Sequence, residues 1–84
     1  MNLRLNFSWD IGEIRPPAFC IDNPAIVPLD GDPVNFEWAD YIDDPEQVAQ
    51  LEGLREDVHF NVVLVTKIFS KDLATIEYVL VKSK

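Results

Sequence analysis

"HFNVVLVTKIFSKDLATIEYVLVKSK", residues 59–84, sets two apolar runs on either side of the polar Ser70-Lys71-Asp72. Runs rich in Val, Ile, Leu, Phe, Tyr and Thr, separated by a short polar break, predict an antiparallel hairpin with strands at 60–69 and 73–82. Lys-Asp is a poor pair for a two-residue turn, which leaves room for a longer loop. With Lys71-Asp72 at the tip, Phe69 falls opposite Ala74, Val65 opposite Tyr78, Val63 opposite Leu80 and Val62 opposite Val81. That register puts Val63, Val65, Ile76, Tyr78 and Leu80 on one face, and Phe60, Val62, Leu64, Ile68, Val79 and Val81 on the other. A strand apolar on both faces is covered on both. The hairpin therefore predicts a sheet with something packed on each side.

Immediately upstream, the sequence supplies one cover. Asp44 precedes Pro45, and Gln47 follows three residues after Asp44. An N-cap, a proline at the first helical position and a capping-box partner mark a helix start. Val48, Leu51, Leu54 and Val58 then recur at three- and four-residue steps, which predicts a helix over about 45–57 on one face of the sheet. Glu56 and Asp57 stand near its C-terminal end, against the helix dipole. The other face needs either the proline-rich segment 14–28 or a second subunit.

Two further strands are expected. "NLRLNFSW" (2–9) alternates Leu3, Leu5, Phe7 and Trp9 with polar residues, and "VNFEW" alternates Val34, Phe36 and Trp38, giving a strand over 34–40. Between them, Pro16-Pro17, Asn23-Pro24, Pro28 and Asp30-Gly31-Asp32-Pro33 exclude a continuous helix. "AFCI" (18–21) and "AIV" (25–27) read as short strands or as apolar loop lying across the sheet. No flexible linker interrupts the chain. The expectation is an α+β fold in a single domain, 1–84, with four or five mostly antiparallel strands and one helix.

The 84 residues include one cysteine and 48% hydrophobic residues. A lone Cys20 forms no internal disulfide, and no basic-then-apolar leader opens the sequence, so a cytoplasmic protein is expected. Flanked by Phe19 and Ile21, Cys20 reads as a small buried hydrophobe. His59 reads as a polar connector between helix and strand. A nucleophilic Cys/His pair would need the two side by side, which no spacing indicates. No phosphate-binding glycine loop or zinc spacing occurs. "DGDPVNFEWADY" fails as a calcium loop, with proline fourth and tyrosine twelfth. No catalytic residue, metal ligand or cofactor is assigned.

Charge is the uneven feature. The net charge is −8, yet residues 30–58 hold ten acids against Arg55 alone, while 59–84 hold four lysines against Asp72 and Glu77. Such a deficit argues against nucleic acid or anionic lipid as a direct ligand, because phosphate contacts need Lys and Arg. Crowded like charge opposes compaction. Local costs that do not serve the fold tend to mark function. The reading is a non-catalytic acidic interaction module that meets a basic partner protein through Asp40, Tyr41, Asp43, Asp44, Glu46, Glu52 and Glu56. Its sharpest form is mimicry of DNA, inhibiting a nucleic-acid-binding enzyme as small acidic phage and mobile-element proteins do. The alternative is a self-associating assembly protein, a homodimer or ring held by the two-sided apolar strands.

Overall fold

The computed structural model of the chain describes residues 2–12, 16–54 and 59–83. Strands β1 (Asn2–Asp10), β2 (Phe19–Asp22) and β3 (Pro33–Val34) are followed by a 3-10 turn, Trp38–Asp40. Helix α1 (Pro45–Leu54), β4 (His59–Phe69) and β5 (Leu73–Ser83) complete the described elements. The five strands form one sheet in the order β2-β1-β5-β4-β3. The architecture is α+β and mostly antiparallel, with β1 and β5 as the parallel exception.

Alternation in β1 is expressed as expected. Leu5 and Phe7 are buried while Arg4, Asn6 and Ser8 face the opposite side. The parallel register Leu5↔Ile76, Phe7↔Tyr78 and Trp9↔Leu80 merges the inward rows of the two strands. Phe19 and Ile21 of β2 join them opposite Phe7 and Leu5. Over this row close Trp38, Ile42 and Leu51, all buried. Phe7, Trp9, Phe19, Phe36, Trp38, Tyr41, Phe60 and Tyr78 form a continuous ring network, with neighbouring centroids 5.0–6.4 Å apart. Offset and edge-to-face pairs of this kind add stabilisation beyond their buried area.

Three expectations are corrected. First, the hairpin register changes midway. Phe69 does face Ala74, but Leu64 faces Tyr78, Val63 faces Val79 and Val62 faces Leu80, with an irregularity between Leu64 and Thr66. Val65 is the extra residue of a β-bulge, and an extra residue reverses which side chains point inward. Phe60, Val62 and Leu64 thereby join Ile76, Tyr78 and Leu80 on one face, and Val63 and Val65 are exposed. Val63 and Ile68 remain on the outward side and are exposed, so the strand is apolar on both sides without being covered on both.

Second, residues 34–40 are not a strand. Only Pro33 and Val34 pair with β4, opposite Asn61 and Phe60. The chain then leaves the sheet and arches over its inner face, where Trp38 packs against Trp9 and Phe60. A short alternation of large apolar residues suits an arch as well as a strand. Third, Cys20 is exposed. It sits opposite Asn6 on the outward row of β2, because Phe19 and Ile21 take the inward positions.

Helix α1 starts at Pro45 as expected and runs to Leu54; residues 55–57 of the expected 45–57 lie outside the described residues. The segment 24–28 crosses the same inner face, tied down where Tyr78 Oη donates to the Pro28 carbonyl at 2.7 Å. Helix, arch and proline-rich segment thus all serve one face. Among the described residues nothing covers the outer one, which carries Arg4, Asn6, Ser8, Glu77, Val79 and Val81.

Candidate functional site

Trp38 organises the acidic stretch. Its side chain is fully buried against Trp9, Phe36 and Phe60, and its carbonyl accepts the N–H groups of Tyr41 and Ile42 at 3.0 and 2.9 Å. The indole Nε1 has no hydrogen-bond partner among the described residues. An unpaired buried donor costs about 1–3 kcal/mol, which the surrounding rings offset. Pinned from below by Trp38 and Ile42, the turn leaves Asp40 and Asp43 in solvent.

Asp44 follows with a structural task of its own. Its Oδ1 accepts the Glu46 N–H at 2.9 Å, and its carbonyl accepts the Val48 N–H at 3.0 Å. It is the N-cap that the sequence announced, satisfying a helix-terminal donor. Glu46 sits in the first turn, where the helix dipole favours a carboxylate. Glu52 lies on the exposed side of α1. Tyr41 is half-buried, stacked on Phe19 at 5.0 Å and edge-on to Phe36 at 5.8 Å.

Of the residues singled out in the sequence, Asp40, Tyr41, Asp43, Asp44 and Glu46 are brought together at the junction of arch and helix. Glu52 extends the group along α1, and Glu56 lies outside the described residues. Two exposed acids at the same end were not singled out. Glu37 opens the arch, and Asp10 ends β1 beside the buried Ile11. The contact of Trp9 with Trp38 carries Asp10 there, and no local signal announces it.

Other acids of the central third serve the fold. Asp30 Oδ1 accepts the Leu64 N–H at 2.9 Å, and Asp32 Oδ2 accepts the Leu29 N–H at 2.8 Å. The first ties the 29–32 turn to the sheet and the second closes the turn on itself, while Gly31 adopts φ +88 and its N–H reaches the Val62 carbonyl. Asp22 pairs with Arg4 at 2.6 Å. The Arg4 guanidinium hydrogen-bonds this carboxylate and holds it below the usual range, and Asp22 raises Arg4 in return. Asp40, Asp43 and Glu46 have no such partner among the described residues.

Cys20 on β2 and His59 on β4 are separated by β1 and β5. Three strand spacings make about 14 Å, too far for proton transfer between them. Among the described residues no three His, Cys, Asp or Glu side chains form a metal-holding group, and no helix is long and apolar enough to cross a membrane.

No family model, curated protein or solved structure matches this chain. The functional reading therefore rests on the residues themselves.

Proposed function

We propose that the chain is a non-catalytic interaction module of the cytoplasm whose acidic end docks on a basic protein surface. The observation that carries the reading is the set Asp40, Asp43 and Glu46, exposed together and unpaired with any described lysine or arginine. Asp40 and Asp43 make no bond that holds the fold, and Glu46 adds only its favourable place at the start of α1, unlike Asp22, Asp30, Asp32 and Asp44, whose carboxylates bond other parts of the chain. A dense negative field raises the on-rate of a basic partner and orients it before contact. Tyr41, braced by Phe19, offers a rigid partly exposed ring beside the acids, the residue type that anchors interfaces.

In its sharpest form this end imitates the phosphates of a duplex and fills the basic cleft of a nuclease, glycosylase or repressor. Mimicry of that kind inhibits by occupancy, as in the acidic inhibitors carried by phage and mobile elements. The test is competition with duplex DNA for such proteins, using wild type and a triple variant, Asp40→Asn/Asp43→Asn/Glu46→Gln. Asp44 is left intact because it caps α1. Wild type is expected to displace DNA at low salt and to lose most of its on-rate as salt rises. Equal inhibition by the triple variant would sink mimicry. A basic partner whose association ignores ionic strength would sink the broader reading.

A further inference from the structure

Every aromatic residue of the chain except Phe69 belongs to the ring network; Phe69 is 80% exposed. At the hairpin tip it pairs with Ala74, on the same inward row as Lys67, which faces Ile76. Lys71 follows in the turn, and both lysines are exposed. Against them the tip sets Asp72, so it is net positive in a chain of net charge −8. A largely apolar cleft of about 240 Å³ lies elsewhere on the same side of the sheet. Its floor is Leu5 and Phe7 of β1, one wall is Ile26 and Pro28 of the crossing segment, and the other is Val34 and Phe36 at the start of the arch. An apolar cavity of about 150 Å³ accepts a benzene ring, so one phenyl group fits. Acids bracket the walls: Asp30 and Asp32 lie between Pro28 and Val34, and Glu37 follows Phe36. The N–H groups bonded to Asp30 and Asp32 leave their negative charge in place, and none of the three acids has an ion-pair partner among the described residues.

We propose that two copies of the chain pair by exchanging these features, Phe69 of each seated in the cleft beside the arch of the other. Charge selects the occupant. An apolar ring flanked by lysines meets an apolar cleft flanked by carboxylates, and the chain itself carries both. Within one chain the contact is not made: Phe69 is exposed, and it lies in register with Leu3 and Ala74 rather than with Leu5 and Phe7. An aromatic knob in an apolar pocket is the type of contact that anchors interfaces. Knob and cleft both belong to the inner side of the sheet. A single two-fold axis parallel to that side therefore makes both contacts at once, and the pair closes instead of growing. Each contact brings Lys67 and Lys71 toward the partner's acidic walls, an attraction that neither two tips nor two acidic ends could supply. It draws on none of Asp40, Asp43 and Glu46, so the inference is independent of the proposed docking of a basic protein.

Sedimentation velocity on the full chain up to about 200 μM, above the micromolar range of weak specific complexes, tests it. A monomer–dimer equilibrium is expected, weakening as salt rises. Phe69→Ser and Ile26→Arg should each raise the dissociation constant by roughly tenfold or more, the scale of losing an interface anchor. Their thermal melts should match wild type, since both side chains are exposed. Mixing these two variants restores one intact knob and cleft per pair, so the mixture should form dimers that neither forms alone. Lys67→Glu should weaken the dimer at low salt, and Glu37→Lys added to the same chain should recover it. Val63→Asp, on the uncovered outer face, should change nothing. Growth beyond the dimer, indifference to Phe69→Ser, no gain on mixing, no recovery by Glu37→Lys, or loss of the dimer through Val63→Asp alone each overturns the proposal. A monomer at every concentration overturns it too, and leaves the cleft to a small apolar molecule or to a side chain of another protein.

Discussion

Tyr78 shows how one side chain joins two parts of the chain. Its ring stacks on Phe7 at 5.2 Å, and its hydroxyl fastens the proline-rich segment through Pro28. Burial raises its pKa above the ordinary tyrosine value, and the nearby Asp32 adds to the effect. A phenol held above its unfolded pKa stabilises the fold fully below about pH 10 and ceases to do so as pH climbs through the folded value. Tyr78→Phe is therefore expected to lower stability by about 1 kcal/mol at neutral pH, the net value of one hydrogen bond. Denaturant titrations at pH 8 and pH 11 should show the variant losing less of its stability over that interval than wild type. An equal loss would mean that other groups dominate the alkaline transition. The sequence made Tyr78 readable as a core residue. Its bond to Pro28 was not readable, because 50 residues separate the two and proline itself signals only a turn. The exposure of Cys20 was misread for a local reason: apolar neighbours in sequence point to the opposite side of a strand.

Among the elements, β1, α1 and the two long strands were legible because each repeats its pattern over eight or more residues. The cap at Asp44 was legible because its chemistry is local. The acidic cluster was equally legible, since Asp40 to Glu46 are neighbours in the chain whatever the fold. The arch was not, because five alternating residues specify no backbone. Nor was the central placement of β1, which depends on pairing with the last strand. The bulge at Val65 left no signal in the sequence, since Val65 is one more apolar residue in an apolar run. Its position nevertheless makes a sharp prediction. Deleting Val65 removes the extra residue and leaves Leu64↔Tyr78 and Thr66↔Glu77 adjacent, so the fold should persist with a loss of about 1–2 kcal/mol. Deleting Asn6 from β1, whose registers with β2 and β5 hold no extra residue to absorb the loss, instead turns either Leu3 and Leu5 or Phe7 and Trp9 away from the core, and should abolish the cooperative melt. Circular dichroism on both deletions decides the matter. Two equally unfolded chains would show that the bulge is not where the register places it.

The whole molecule is 40 Å long and 25 by 21 Å across, with Asp10, Glu37, Asp40 and Asp43 exposed around the arch. The acidic end stores repulsion that salt relieves. Asp40→Asn/Asp43→Asn is accordingly expected to raise the melting temperature at about 10 mM salt, by roughly 2–4 °C, and to change it little at 1 M, where the screening length is about 3 Å. A rise that persists at high salt would assign the effect to something other than like-charge crowding. The distribution of acids along the sequence places ten of them between residues 30 and 58. It did not anticipate that Asp22, Asp30, Asp32 and Asp44 are occupied with holding the fold, which narrows the surface free to meet a partner.

The parallel pairing of β1 with β5 has a practical corollary. Asn2 starts beside Leu73, whereas β5 runs on past Asp10 to Ser83, so these two residues leave the sheet in opposite directions. A bulky tether fused ahead of Asn2 crowds the Phe69 side, and one fused after Ser83 crowds the carboxylate side. The attachment point therefore decides which end of the sheet a tether shields.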